Sequence, residues 1–220
     1  MSHSKLKIED IAALAPIIPV LVIDDIEVAV PLAKALVAGG LTVLEVTLRT
    51  PVALEAIARI STSCPTTVVG AGTIRNAADI AACRTAGAAF GVSPGTSAAL
   101  AEAIAEDSAR NGPWPFLPGC ATATEAMALE ERGFKMLKFF PAQASGGAPF
   151  LKSLASPLPD LSFCPTGGLD AGTAPSYLSL PNVPVVGGSW MVDSGDLKRG
   201  AWSEIERKAR DAVRSVVVDG

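Results

Sequence analysis

The 220-residue chain is short of the side chains that most enzymes rely on: it has one histidine, one tyrosine, four cysteines and only 18% charged residues. The histidine is His3, in a short polar start (residues 1–7) that reads as disordered. An imidazole base, a Ser-His-Asp triad and a histidine-ligated metal are thereby all but excluded. The cysteines at 64, 83, 120 and 164 form no C-x-x-C pair and stand in apolar or helical contexts, so they read as small buried hydrophobes rather than zinc ligands or a disulfide frame. The longest charge-free apolar run, Ile11 to Ile23, has 13 residues and is broken by Pro16 and Pro19, too short to span a bilayer. No basic-then-apolar leader is visible, so the expected location is the cytoplasm, with no membrane partner. With 18 basic against 22 acidic residues, a net charge of −4 and no basic stripe, no nucleic-acid partner is expected either.

What the chain does have is apolar bulk and punctuation: 49% hydrophobic residues, 20 glycines and 17 prolines. That composition, with a mean hydropathy of +0.39, suits strands buried on both faces. Eight short apolar runs recur: Ile17–Ile23, Val43–Leu48, Thr67–Ala71, Ala88–Val92, Trp114–Leu117, Met136–Phe140, Leu161–Cys164 and Val183–Val186. Markers within them (Val22, Glu45, Gly70, Val92, Leu117, Lys138, Cys164, Val186) are separated by 23, 25, 22, 25, 21, 26 and 22 residues, room for one strand and one helix each.

The intervening segments carry helix signals. Asn76 caps the run Ala77–Ala86, which Gly87 ends. Thr122 and Glu125 form a T-x-x-E box ahead of Ala126–Arg132. Pro31 falls in the first turn of a helix stopped by Gly39-Gly40, and Ile205, Ala209, Ala212, Val213 and Val216 stripe the last helix. Eight such units predict a compact (β/α)₈ TIM barrel, a single α/β domain over residues 1–220, with an extra N-terminal helix at Ile8–Ala15. A doubly wound sheet is the alternative, with fewer strands and less even spacing.

In such a barrel the chemistry belongs at the carboxyl ends of the strands. Alternation along Val43–Arg49 puts Leu44, Val46 and Leu48 on one face and Glu45, Thr47 and Arg49 on the other. Glu45 is the one carboxylate among 22 acidic residues inside a strand-like run; it is either an acid–base group or half of a Glu45–Arg49 ion pair. Lys138 sits in Met136–Phe140, unlike the other seven lysines, which lie in helices, turns or termini. A buried ammonium is costly unless paired or deprotonated. Lys138 is therefore either an amine nucleophile able to form a Schiff base with a carbonyl carbon or a salt-bridge partner of Glu45. Thr166-Gly167-Gly168 and Gly187-Gly188-Ser189 follow the seventh and eighth runs, the recurrent phosphate site of these barrels. Gly70-Ala71-Gly72-Thr73 and Ser93-Pro94-Gly95 close the third and fourth; Thr73 offers a hydroxyl donor and Pro94 an apolar wall, and both also read as turn formers. Together the set suits imine chemistry on a phosphorylated oxo compound.

Six ordered motifs carry a resemblance to a known family: Val43–Thr50 (VLEVTLRT), Gly70–Thr73 (GAGT), Ser93–Gly95 (SPG), Lys138–Ala142 (KFFPA), Phe163–Gly168 (FCPTGG) and Gly187–Trp190 (GGSW). From about Pro16 to Val192 the chain resembles the 2-keto-3-deoxy-6-phosphogluconate (KDPG) aldolases. The resemblance implies a class I, metal- and cofactor-free lyase of the Entner–Doudoroff pathway. It would split KDPG into pyruvate and glyceraldehyde 3-phosphate, and 4-hydroxy-2-oxoglutarate into pyruvate and glyoxylate. It implies Lys138 as the imine-forming lysine and Glu45 as the proton shuttle. Arg49 and Thr73 would hold the pyruvate end, Pro94 and Phe140 the apolar wall, and Thr166, Gly167, Gly168, Gly188 and Ser189 the phosphate. It also implies a cytoplasmic homotrimer.

Two positions stand apart. Gln143 occupies a place where the family commonly has Glu, and Arg75 lies in the loop beside Thr73. Three rivals differ in chemistry: an aldolase for the C4 (galactonate) epimer, a phosphosugar isomerase or epimerase, and a non-catalytic phosphate binder. The isomerases typically use paired carboxylates, a histidine or a metal, whereas a mere binder has no use for a buried lysine opposite a carboxylate.

Overall fold

The apolar runs become parallel strands because each is followed by a helix long enough to return the chain to the same end of the sheet. A computed structural model describes residues 6–216. Its strands are β1 Ile17–Leu21, β2 Val43–Thr47, β3 Val68–Gly72, β4 Gly91–Val92, β5 Phe116–Leu117, β6 Gly119–Cys120, β7 Met136–Phe139, β8 Ser162–Pro165 and β9 Val186–Gly188. The helices are α1 Ile8–Ala12, α2 Ala29–Ala38, α3 Ala53–Ser63, α4 Ala77–Thr85, α5 Ala98–Asn111, α6 Ala123–Glu130, α7 Gly147–Leu154, α8 Ala174–Leu178, α9 Ser194–Arg199 and α10 Trp202–Val216. Hydrogen bonding gives a six-stranded sheet, β5-β4-β3-β2-β1-β9, and a three-stranded one, β6-β7-β8. Every pairing is parallel, including an isolated bridge between Thr166 and Gly187. The result is an α/β fold on a curled parallel sheet.

The expected fifth strand is split. Pro118 stands between β5 and β6 and cannot donate to a ladder, although its carbonyl accepts from the Lys138 N–H at 2.8 Å. The N-terminal helix stops at Ala12 rather than Ala15, since Pro16 disfavours helical geometry in the residue before it. Leu6 and Lys7, expected in a disordered start, lie in ordered chain: Leu6 packs on the core and the Lys7 N–H donates to Asp10 Oδ2. His3 and the rest of that start lie outside the described residues.

Strand alternation sorts the core into two clusters. The outward faces, including Leu44, Val46, Leu137, Phe139 and Phe163, meet Leu32, Leu36, Ile57, Ile60 and Leu151 of the helices. The inward faces supply Ile18, Val43, Val68, Phe90, Val92, Leu117, Met136, Cys164 and Val185 to a second cluster, closed from below by Ile8, Ile11, Ala12 and Ala15. Glu45 and Lys138 lie two residues beyond Val43 and Met136 on those same inward faces, so the inner cluster forms an apolar floor beneath them.

The helix signals behave as their chemistry requires. Asn76 Oδ1 accepts from the Asp79 N–H, and Thr122 and Glu125 close a full capping box, although that helix already begins at Ala123. Pro31 lies in the first turn of α2. The α10 stripe packs on the chain's own α2, where Gly39 makes room: a Cβ there would come 2.7 Å from the Glu206 carbonyl oxygen. All four cysteines are free and buried.

Two outcomes follow. Ile11 is 1% exposed, so Ile11→Ala should cost about 2–5 kcal/mol by loss of apolar contact and creation of a cavity, measured by denaturant unfolding. Burial also pushes the Cys83, Cys120 and Cys164 thiols up to about 12. The folded state thus retains protons that the unfolded chain gives up from about pH 9. Stability should therefore hold below pH 9 and fall as pH rises toward 12. Replacing the three thiols by alanine or serine should flatten that alkaline decline in a thermal-melt series.

Candidate active site

The site grows from the inward faces of β2 and β7. On β2, Thr47 is fully buried and its hydroxyl donates to the Leu21 carbonyl at 2.9 Å, which ties the strand to β1 and holds the register of Glu45. Lys138 reaches across from β7, its Nζ 3.1 Å from Glu45 Oε1 and 3.3 Å from Oε2. Both side chains are 4% exposed. Glu45 thus pairs with Lys138 and not with Arg49, which removes the Glu45–Arg49 reading of the strand. Gly72, on the neighbouring strand two residues beyond the register partner of Glu45, leaves space for the carboxylate: a Cβ there would lie 2.7 Å from Glu45 Cδ.

This pair is poorly furnished as a structural salt bridge. Buried ion pairs recover their desolvation cost only when further hydrogen bonds satisfy both partners, yet among the described residues Lys138 Nζ bonds to Glu45 alone. The Phe140 ring lies 5.4 Å from Nζ. Below, the Cys164 thiol is pushed up to about 12 by burial, with the Lys138 charge and a Thr166 hydroxyl contact partly opposing the shift. The neutral thiol adds no charge to the site. A close acid–base pair with both side chains buried, and an amine otherwise uncommitted among the described residues, is suited to nucleophilic and proton-transfer chemistry.

Around this centre the predicted residues fall at the carboxyl ends of β2, β3, β4, β7, β8 and β9. Arg49 is exposed and its Nε donates to Thr73 Oγ1 at 3.3 Å. Among the described residues its guanidinium makes no ion pair, which leaves its terminal nitrogens available for a forked contact with a carboxylate. Thr73 has φ 65°, the one non-glycine residue in left-handed geometry among those described. For a β-branched residue that conformation costs of order 1–3 kcal/mol and points to a constraint beyond folding. Arg75 faces solvent, and only its backbone N–H is engaged, by Asp79.

Pro94 is held by a clamp that sequence reasoning did not supply. Ser93 Oγ, fully buried, accepts from the Gly119 N–H at 3.0 Å and meets Thr96 Oγ1 at 3.0 Å, while Thr96 Oγ1 donates to the Gly119 carbonyl. Gly119 pairs in register with Lys138. Its missing Cβ lets the Pro94 backbone settle on β6; a Cβ would be 2.6 Å from Pro94 O. The wall residue is therefore indexed to the lysine through one strand. A hydroxyl immediately after a strand end gave no signal that it would meet a glycine 26 positions away.

The two glycine pairs converge. Thr166, after β8, bridges Gly187 of β9, and a Cβ on Gly187 would crowd Thr166 Cγ2 at 3.1 Å. Gly167 and Gly168 have φ of 100° and 79°, which L side chains adopt at a cost. Ser189 is exposed beside Gly188, over which Trp190 packs. A cleft of about 610 Å³ opens at the opposite, amino-terminal end, among Lys7, Glu9, Trp114, Arg132 and Lys135, but it lies away from the Glu45–Lys138 pair and contains no comparable buried ion pair among the described residues. No helix in the described residues is long and apolar enough to cross a membrane.

The family model for KDPG and KHG aldolase matches residues 8–208. The chain is 50% identical over 189 residues to the 2-dehydro-3-deoxy-phosphogluconate aldolase of Zymomonas mobilis, covering 86% of this chain and 88% of that one. It is 43% identical over 213 residues to the KHG/KDPG aldolase of Escherichia coli, 97% and 98% of the two chains. Among solved structures it superposes with a TM-score of 0.90 and 41% identity on KDPG aldolase from Legionella pneumophila, in which pyruvate is captured as a covalent carbinolamine intermediate; 95% of this chain and 99% of that one are covered.

Gly72→Ala should displace the Glu45 carboxylate and destabilise the fold by about 1–3 kcal/mol through overpacking. Gly95→Ala, with nothing within 4 Å of the new Cβ, should change stability by less than about 0.5 kcal/mol. Equal unfolding midpoints for the two variants would show that Gly72 is not needed to seat Glu45.

Proposed function

The chain belongs to the KDPG and KHG aldolase family, and from that membership we propose that it is a class I carbon–carbon lyase with Lys138 and Glu45 as its catalytic residues. The substrate is 2-keto-3-deoxy-6-phosphogluconate, cleaved to pyruvate and glyceraldehyde 3-phosphate, with 4-hydroxy-2-oxoglutarate as a second substrate. The observation that carries this reading is the buried Lys138–Glu45 pair, with Nζ 3.1 Å from Oε1.

The chemistry follows from that contact. Glu45 takes a proton from the lysine, and the free amine adds to the C2 carbonyl to form a carbinolamine. Glu45 then returns a proton to the departing hydroxyl, water leaves and an iminium remains. The same carboxylate removes the C4 hydroxyl proton. As the C4 carbonyl forms, the C3–C4 bond breaks and its electron pair moves into the iminium, giving an enamine. Protonation at C3 and hydrolysis release pyruvate and restore the amine. Arg49 with Thr73 holds the pyruvate carboxylate, Pro94 and Phe140 enclose its methyl(ene), and Thr166, Gly167, Gly168, Gly188 and Ser189 receive the phosphate. The imine is the electron sink, so the route needs neither metal nor cofactor. Among the described residues no three His, Cys, Asp or Glu side chains are grouped to hold an ion.

The finer architecture is part of the same reading. The two sheets are taken as one closed (β/α)₈ barrel in a single domain, supported by the Thr166–Gly187 bridge on one side and the single-residue break at Pro118 on the other. The cytoplasmic homotrimer and the place in the Entner–Doudoroff pathway rest on the family resemblance.

Borohydride reduction in the presence of pyruvate should leave one covalent adduct, mapped by peptide mass to Lys138 and absent in Lys138→Ala. Unmodified protein would rule out the imine. Glu45→Gln should still trap pyruvate while turnover falls by about 10²–10⁴, the usual contribution of a positioned acid–base group; unchanged turnover would remove Glu45 from proton transfer.

A further inference from the structure

The carbonyls of Pro118 and Cys120 face β7, where they accept from the N–H groups of Lys138 at 2.8 Å and Phe140 at 3.0 Å. Alternation then turns the N–H and C=O of Gly119 the other way, toward β4, which has already ended at Val92. Two hydroxyls stand in for the missing strand. Ser93 gives its own N–H to the Leu117 carbonyl at 3.3 Å, on one side of Pro118, and accepts the Gly119 N–H on Oγ, on the other. Thr96 Oγ1 donates to the Gly119 carbonyl. A hydroxyl has one proton, so the 3.0 Å contact between the two side chains runs from Ser93 Oγ to Thr96 Oγ1. Both hydroxyl protons are therefore committed, and neither residue offers one to a substrate. Pro94 and Gly95 span the interval between the two hydroxyls. Gly119 and Lys138 are register partners, so the side chain that Gly119 lacks would stand on the inward face beside the lysine. The Pro94 backbone fills that space, its carbonyl carbon 2.5 Å from the position of an added Cβ. The ring of hydrogen bonds thus fixes how far the proline stands from the amine.

Resting on the reading of Pro94 as the wall around the pyruvyl methyl(ene), we propose that Ser93 and Thr96 are positioning residues that set the size of the imine-forming partner. They hold the wall close enough to Lys138 to favour pyruvate over 2-oxo acids that carry a further carbon on C3. Their action is through Pro94 alone, and it is confined to the pyruvyl end of the substrate.

The test is a competition between pyruvate and 2-oxobutanoate for borohydride trapping. The Lys138 amine adds to C2 of either acid, water leaves, and borohydride delivers hydride to the imine carbon. The two adducts differ in mass by one methylene. The wild type should give mainly the pyruvate adduct. Thr96→Val keeps the shape of a half-buried side chain and removes its hydroxyl. It should lower the ratio of pyruvate to 2-oxobutanoate adduct about tenfold, the low end of what one methylene is worth in an apolar pocket. Ser93→Ala should shift the ratio the same way, and Thr96→Val decides the matter even if Ser93→Ala does not fold. Thr96→Ser, which keeps the hydroxyl, should stay near the wild-type ratio. In the synthetic direction the KM for glyceraldehyde 3-phosphate should not move, because its phosphate end belongs to other loops. A wild type without preference between the acids, an unchanged ratio in Thr96→Val, or loss of both adducts in that variant would overturn the proposal. Pro94→Ala separates it from the reading beneath it. If that variant leaves the ratio unchanged, Pro94 is not the wall; if it lowers the ratio while Thr96→Val does not, the wall stands and only the clamp fails. No adduct with either acid in the wild type defeats the imine on which both depend.

Discussion

Everything else in this fold is arranged around the burial of one ammonium and one carboxylate inside a curled sheet. Removing such ions from water costs several kcal/mol each, and the contacts of one Nζ with the two oxygens of one carboxylate do not recover it. The remainder comes from the apolar body: an outer cluster that fixes the strands against the helices and an inner cluster that forms the floor below the pair. The division of labour runs along the strand axis. At the amino-terminal end, α1 caps the inner cluster and contributes stability. At the carboxyl end the side chains turn polar, and the same strands present Glu45 and Lys138 two residues beyond their last apolar inward contact, with Thr47 a further two residues along.

Much of this was legible in residue order because it depends on period-two alternation. Leu44 and Val46 against Glu45 and Thr47 is a local pattern, and so is Leu137 and Phe139 against Met136 and Lys138; in each strand the structure places the two sets on opposite faces. The same holds for Asn76 and for the Thr122–Glu125 box, where donor and acceptor are three residues apart. The placement of Arg49, Thr73, Pro94 and Gly167-Gly168 needs only that strands end within a residue or two of their apolar runs, whereas β9 begins at Val186, where its run was expected to end, and so takes Gly187 and Gly188 into the strand.

What alternation does not carry is partnership at long range. In one dimension Arg49, four residues away, and Lys138 are equally plausible partners for Glu45. The curl of the sheet instead brings Lys138, 93 positions away, within 3.1 Å of the carboxylate. The Ser93–Gly119 and Tyr177–Gln143 contacts are of the same kind: each joins a hydroxyl to a loop or strand 26 or 34 positions away, and neither residue is unusual in its own neighbourhood. The break at Pro118 escaped because a proline between two short runs reads as the end of a strand, whereas here its free carbonyl still accepts the Lys138 N–H and β6 resumes at once.

A second regularity joins the site residues to the backbone beneath them. The close approaches around the reacting pair are made where a side chain is missing: Gly72 under Glu45 and Gly119 under Pro94. Because interiors are packed to crystalline density, a missing Cβ at such a point is filled by whatever the neighbouring strand presents. Here the fillers are a carboxylate and the backbone of the wall residue, so the positions of chemical groups are set by the absence of carbon atoms on adjoining strands. That has a consequence for variation. A conservative exchange at Glu45 or Lys138 alters the chemistry while leaving the frame, whereas adding one methyl group at Gly72 or Gly119 moves the frame and leaves the chemistry nominally present. The alignment of amine, acid and wall is therefore encoded as much in these small residues as in the reactive ones.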